Sequence, residues 1–144
     1  MVKTIAVGTD GSDTARKAVE FAMDMAERYG AKLVIASAYT PVSEDRLRKE
    51  QVDAPQEIQW SINPSEDVDT ALRGHEDDAR ERGLKFASDA RNGDPADVLC
   101  EIAADHEADV IVVGNQGMQR RILGSVPNSV SHKAPCSVLS VKTA

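Results

Sequence analysis

Glycines 114, 117 and 124, the last followed at once by Ser125, lie just past the stretch Asp109-Val-Ile-Val-Val113. Four of those five residues are apolar and β-branched, which reads as a fully buried strand. Small residues beyond the carboxyl end of such a strand let backbone N–H groups approach an anion closely. Gly114 and Gly117 remove side chains where a sugar or phosphate would press on the backbone. Gly124-Ser125 opens a helix whose free N–H groups and positive dipole end can face the anion, with the Ser125 hydroxyl as a further donor. A second candidate turn, Gly8-Thr-Asp10-Gly11-Ser12, follows the first apolar run. Asp10 suits a ribose hydroxyl or, through water, a divalent cation beside phosphates. The competing reading is local: Asp10 and Ser12 fix the entry to a helix, and the glycines only permit tight turns.

The elements that must position these turns follow from periodicity. Lys3 to Gly8 reads as a short strand, and Ser12 caps the helix after it. Ala15, Ala18, Val19, Ala22, Met25, Ala26 and Tyr29 recur on one helical face, with Gly30 as the left-handed stop. Leu33 to Ala38 is a second buried strand. From Thr40 to about Ser65 the chain is polar, carries Pro41, Pro55 and Pro64 and includes the lone Trp60, so it reads as a long crossover. Val68, Ala71, Leu72, His75 and Ala79 mark a helix closing at Gly83, and Leu84 to Ser88 a short third strand. Asp94 as cap and Pro95 in the first turn start a helix that ends near His106. A last helix spans roughly Gly124 to Lys133, and Pro135 precedes a final strand, Ser137 to Val141.

Strands alternating with helices predict a doubly wound α/β fold, a mostly parallel sheet with helices on both faces and right-handed crossovers. Ligands of such sheets sit beyond the carboxyl ends of strands where neighbouring crossovers diverge. If the first and fourth strands are neighbours, their two turns share one site.

Composition bounds the function. A chain of 144 residues fits one domain, residues 1–144. The net charge of −7 argues against nucleic acid and anionic membranes as partners. No leader and no run of about 20 apolar residues is visible, and Cys100 and Cys136 stand in separate apolar contexts without CxxC spacing, so the expectation is a cytoplasmic protein with reduced thiols. His75, His106 and His132 are scattered over three helices without metal spacing and read as helix-surface or partly buried side chains. No G-x-S-x-G elbow and no Walker A lysine occur, and Asp10 lacks the acidic neighbours of a phosphoacceptor site. Enzymatic activity is not expected beyond, at most, slow ATP hydrolysis.

Val-Gly-Thr-Asp-Gly-Ser at 7–12, Val-Val-Gly-Asn-Gln-Gly at 112–117 and Leu-Gly-Ser-Val-Pro-Asn-Ser-Val-Ser-His-Lys-Ala-Pro-Cys-Ser-Val-Leu at 123–139 together resemble the universal stress protein family over nearly the whole chain. The resemblance implies a five-stranded sheet of order 3-2-1-4-5, a cytoplasmic homodimer and, in one subgroup, ATP binding. It matches Asp10 to the aspartate beside the ribose, flanked by Gly8 and Thr9, and Ala38 to the position whose backbone reads adenine. It matches Val113, Gly114, Gln116 and Gly117 to further ligand-lining positions, and Gly124, Ser125 and Val126 to the phosphate-gripping helix start. Between Gly117 and Gly124 stand six residues where the family's ATP motif has nine. A loop of six can span roughly 20 Å but has less slack to wrap a triphosphate. Arg120 and Arg121 lie in that loop and could supply guanidinium forks to phosphate oxygens, or be solvated surface cations.

The expected ligand is thus ATP or another adenine nucleotide, AMP or cAMP, with Mg²⁺ as a candidate companion. The expected role is stress-response signalling through a ligand-bound dimer. The alternative is a structural or partner-binding stress protein whose glycine loop is vestigial. Val138, Leu139 and Val141 form an apolar strand at a sheet edge, a pairing surface unless covered. The family resemblance implies a homodimer built on residues 136–142, against the alternative of a strand that ends a monomer's sheet.

Overall fold

The computed structural model describes residues 1–39, 64–115 and 125–143. Nine elements follow in chain order: β1 (Thr4–Gly8), α1 (Asp13–Tyr29), β2 (Lys32–Tyr39), α2 (Pro64–Glu81), β3 (Phe86–Asn92), α3 (Pro95–Asp105), β4 (Val110–Gly114), α4 (Ser125–Lys133) and β5 (Ser137–Val141). The five strands form one sheet of order β3-β2-β1-β4-β5, every neighbouring pair parallel. The doubly wound α/β fold and the 3-2-1-4-5 order are both present.

The strands are continuous apolar runs because both faces of the sheet are covered. Ile5, Val7, Leu33, Ile35, Val110 and Val112 pack on one side with α1 residues Ala18, Val19, Ala22, Met23 and Ala26 and with Leu72 and Ala79 of α2. The alternate residues Ala6, Val34, Ala36, Ile111 and Val113 pack on the other side with Val98, Leu99, Ile102 and Ala103 of α3 and Val130 of α4. This alternation is the two-residue period of a strand read on both faces at once. It also sets the chain's direction of travel. From β1 the crossovers step outward through β2 to β3 over one face, then α3 returns across the opposite face to β4 and α4 continues to β5. The direction therefore reverses between β1 and β4.

Local signals explain most boundaries. The Ser12 hydroxyl accepts the Ala15 N–H at 3.1 Å, and Gly30 closes α1 in the left-handed region at φ 63°. Asp94 accepts the Asp97 N–H at 3.2 Å ahead of Pro95. Met23, not Tyr29, belongs to the buried face of α1, and Tyr29 is exposed.

Two expectations need correction. The third strand runs from Phe86 to Asn92 rather than from Leu84 to Ser88. The Leu84 N–H is instead spent on the Ala79 carbonyl at the end of α2. Among the added residues, Ala90 packs on the core while Asp89 and Arg91 are polar because β3 is a sheet edge where such side chains can pair. Arg91 forks onto Asp89 and reaches Asp105 at 2.7 Å, His106 meets Asp89 at 3.1 Å, and Ser88 donates to Glu76 at 2.8 Å. The two cysteines also share a context. Cys100 and Cys136 are free, half-buried thiols packed against the same α3/α4 core, and desolvation pushes both above the ordinary thiol range. At the opposite edge Val138 and Leu139 of β5 are half-buried and Val141 is buried.

Ile111 is fully buried at the middle of β4. Ile111→Ala should lower the unfolding free energy by about 3 kcal/mol, measured by urea denaturation. A loss below about 1 kcal/mol would contradict the two-sided core placed here.

Candidate functional site

The reversal between β1 and β4 leaves a cleft at the carboxyl ends of β1, β2 and β4, enclosing about 630 Å³, part of it open solvent. Gly8, Thr9 and Asp10 line it from the end of β1, Ala36, Ser37 and Ala38 from β2, and Val113 and Gly114 from β4. Ser12, Thr14 and Ala15 contribute the start of α1, Pro95, Val98 and Leu99 the start of α3, and Val126 the start of α4. Three helix amino termini therefore converge on one space. Of the positions singled out in the sequence, the fold brings together Gly8, Thr9, Asp10, Ala38, Val113, Gly114 and Val126. Ser125 is the first residue of α4. Gln116, Gly117, Arg120, Arg121 and Gly124 lie outside the described residues, as does the crossover from 40 to 63 with Trp60.

The turn after β1 is held by backbone and side-chain hydrogen bonds. The Thr9 N–H donates to the Ala36 carbonyl at 2.9 Å, and Ser37 Oγ donates to the Thr9 carbonyl at 2.7 Å. Thr9 Oγ1 accepts the Gly11 N–H at 3.1 Å and lies 3.2 Å from His75 Nε2. Asp10 Oδ1 accepts the Ser12 N–H at 2.9 Å. Asp10 and Ser12 thus do the local capping work of the plainer sequence reading, while Asp10 remains exposed and lines the cleft. Gly11 sits at φ 83°, and a Cβ there would stand 3.1 Å from the Ala71 Cβ of α2. A glycine is required for both reasons.

Two other glycines are explained by the protein's own packing. A Cβ on Gly8 would lie 3.0 Å from Leu99 Cδ2, so glycine lets α3 close onto the sheet. A Cβ on Gly114 would lie 3.2 Å from Thr143 Cγ2. Thr143 is buried there because Asn115 Oδ1 accepts both its N–H, at 2.9 Å, and its hydroxyl, at 3.1 Å, while Lys17 Nζ donates to its carbonyl at 3.1 Å.

Asp10 is the only charged side chain among the described residues of the cleft. The helix termini differ in what faces them. Asp13 stands in the first turn of α1 and Asp97 in that of α3, whereas the first turn of α4 carries no acidic residue. Among the described residues of that turn nothing acidic offsets its dipole end.

Sequence reasoning missed the wall supplied by α3, because nothing in Pro95 to Leu99 distinguishes a cleft wall from a helix start. It also set His75 aside. His75 is buried at 8% exposure and is bonded to the turn beneath the cleft. The available signal was its place on the apolar stripe of α2, two turns of which face α1 and the β1 turn.

Among the described residues no group of three or more His, Cys, Asp or Glu side chains could hold a metal ion, and no helix is long and apolar enough to cross a membrane.

With this geometry in place, the comparisons are specific. Residues 1–142 match the model of the universal stress protein family. A universal stress protein of Mycobacterium tuberculosis strain H37Rv is 37% identical over 145 residues, covering 98% of this chain and 97% of that one. A solved universal stress protein in complex with cAMP is 37% identical, superposes with a TM-score of 0.74 and is covered to 99% on both sides. An Arabidopsis thaliana member with AMP bound shares the fold at a TM-score of 0.72 with 18% identity, covering 99% of this chain and 92% of that one.

Thr9→Val removes the hydroxyl that joins Gly11 to His75 while keeping the side-chain volume. It should cost about 1–3 kcal/mol of stability in urea unfolding, since the Gly11 N–H and a buried imidazole lose their partner. An unchanged midpoint would show that the turn is held without this hydroxyl.

Proposed function

The chain belongs to the universal stress protein family, and from that premise we propose that it binds an adenine nucleotide in the cleft where β1 and β4 diverge. The observation that carries the reading is the cleft itself: one apolar-floored space at the reversal point, ringed by backbone and hydroxyl groups and by three helix starts. Ligands of open parallel sheets occupy this position. The relative captured with cAMP, at 37% identity over nearly its whole length, supports the same ligand class.

Within that class the charge pattern favours a monophosphate. The α4 amino terminus has no acidic side chain of its own to neutralise it, so a phosphate placed there meets a free positive dipole end. Against this stands Asp10, and no described residue of the cleft is cationic. A singly charged phosphodiester suits that balance better than a triphosphate, whose extra charges would need a cation or the arginines at 120 and 121. The adenine would lie over Ala36–Ala38 and the Leu99 side of α3, and the ribose beside Asp10. Mg²⁺ would accompany ATP and is not required by a cyclic ligand. The working form would be a cytoplasmic homodimer of one domain per chain, paired through residues 136–142, whose ligand occupancy is the output rather than turnover.

A second reading has its own observation. Gly8 and Gly114 are accounted for by Leu99 and Thr143 without any ligand, as a structural or partner-binding member with a vestigial site would have them. Calorimetric titration separates the two. Wild-type protein should bind cAMP and AMP with one site per chain, and ATP at least about tenfold more weakly in the absence of divalent cation. Absence of heat and of competition with all three nucleotides would establish the second reading.

A further inference from the structure

We infer that His75 is a positioning residue for the nucleotide site, holding the Thr9–Gly11 turn in its binding geometry by accepting the Thr9 hydroxyl proton, so that acidification weakens the ligand's hold. The inference rests on the nucleotide-binding reading above and adds to it a route by which pH reaches the cleft.

In this inference the Thr9 hydroxyl is the donor and His75 Nε2 the acceptor, the tautomer that gives the hydroxyl proton a partner. Thr9 Oγ1 already accepts the Gly11 N–H, and its own proton has one partner within reach, His75 Nε2 at 3.2 Å. No buried side-chain nitrogen or oxygen among the described residues is left without a partner, which this arrangement satisfies. Nε2 must then carry its lone pair, and the ring is neutral. His75 does not line the cleft. It lies behind Thr9, which lines the cleft together with Gly8 and Asp10. The same helix presses Ala71 against Gly11, so α2 fixes this turn at two points one helical turn apart.

Protonation would turn Nε2 from acceptor into donor. Thr9 Oγ1 would face two N–H donors, and its own proton would lose its acceptor inside the fold. The charged groups that reach the ring are Arg16 and Glu20 of α1 and Asp78 of α2. Burial is the largest influence and disfavours the imidazolium, and Arg16 acts in the same sense. Asp78 and Glu20 oppose them, and the net is a pKa below the ordinary 6.5. A folded-state pKa below the unfolded value means that the folded protein binds fewer protons in that window. The contribution of His75 to stability is complete above pH 6.5 and is lost as pH falls through the folded-state pKa. Ligand held by the ordered turn deepens the same dependence.

The test uses cAMP, whose phosphodiester does not change charge across the range. Wild-type affinity should fall about fivefold between pH 7.5 and a pH below the midpoint at which the His75 ring titrates, the scale of one lost buried hydrogen bond. His75→Gln, which offers a non-titrating acceptor, should retain the pH 7.5 affinity and show a flat profile, while His75→Leu should be weaker at both pH values. In the free protein, the amide resonances of Thr9 and Gly11 should titrate with the same midpoint as the His75 ring. A wild type that binds with pH-independent affinity, or an H75Q protein that keeps the wild-type slope, overturns this inference and leaves the proposed function standing. A protein that binds no adenine nucleotide at any pH overturns the proposed function and the affinity claim together. Amides that do not follow the ring titration remove the coupling between His75 and the turn.

Discussion

The site depends on one topological constraint, the reversal of chain direction between β1 and β4. A parallel sheet buried on both faces obliges each crossover to run over one face or the other, and right-handedness decides which. With α1 and α2 on one side and α3 and α4 on the other, no described helix bridges the carboxyl ends of β1 and β4. The opening there is a consequence of how the hydrophobic faces are covered. It costs no dedicated structure, and the first residues of α1, α3 and α4 line it.

What the sequence adds is control of how closely the walls approach. Glycine at 8 lets Leu99 descend onto β1, and glycine at 114 leaves room for Thr143, which Asn115 and Lys17 hold in place. The cleft is therefore shaped by core packing, with Leu99 in its wall and Thr143 packed against Gly114. The turn between β1 and α1 is the contrasting part. It is fastened by polar contacts, with Thr9 engaged through its N–H, its carbonyl and its hydroxyl. Such contacts depend on protonation and solvent in a way that the apolar floor does not.

Much of this was legible from residue types. The runs Val110–Val113 and Leu33–Ala36 are too apolar for a half-exposed strand, and Ser12, Gly30 and Asp94-Pro95 mark helix ends by chemistry that acts locally. The edge strand was misread because Ser88, Asp89 and Arg91 satisfy their polarity sideways, through Glu76, Asp105 and His106, and such pairings are invisible to a periodicity argument. Cys100 and Cys136 seemed unrelated for the same reason: α3 and the start of β5 meet only in the folded sheet. His75 shows the limit most clearly. A histidine on an apolar stripe looks like an ordinary core position until the helix is placed against a turn 66 residues away in sequence. The glycines at 8 and 114 line the cleft and are closely approached by Leu99 and Thr143, and close approach by protein and close approach by ligand leave the same mark in a sequence.

The central claim is that a purine nucleotide enters the space between the ends of β1 and β4. Chemical-shift mapping of the full chain with cAMP addresses it most directly. The account predicts saturable shifts concentrated at residues 8–12, 36–38 and 113–114 and at the start of α4, with the outer strand β3 unmoved. Saturable shifts centred on β3, on the outer face of α1 or on β5, with residues 8–12 silent, would contradict it.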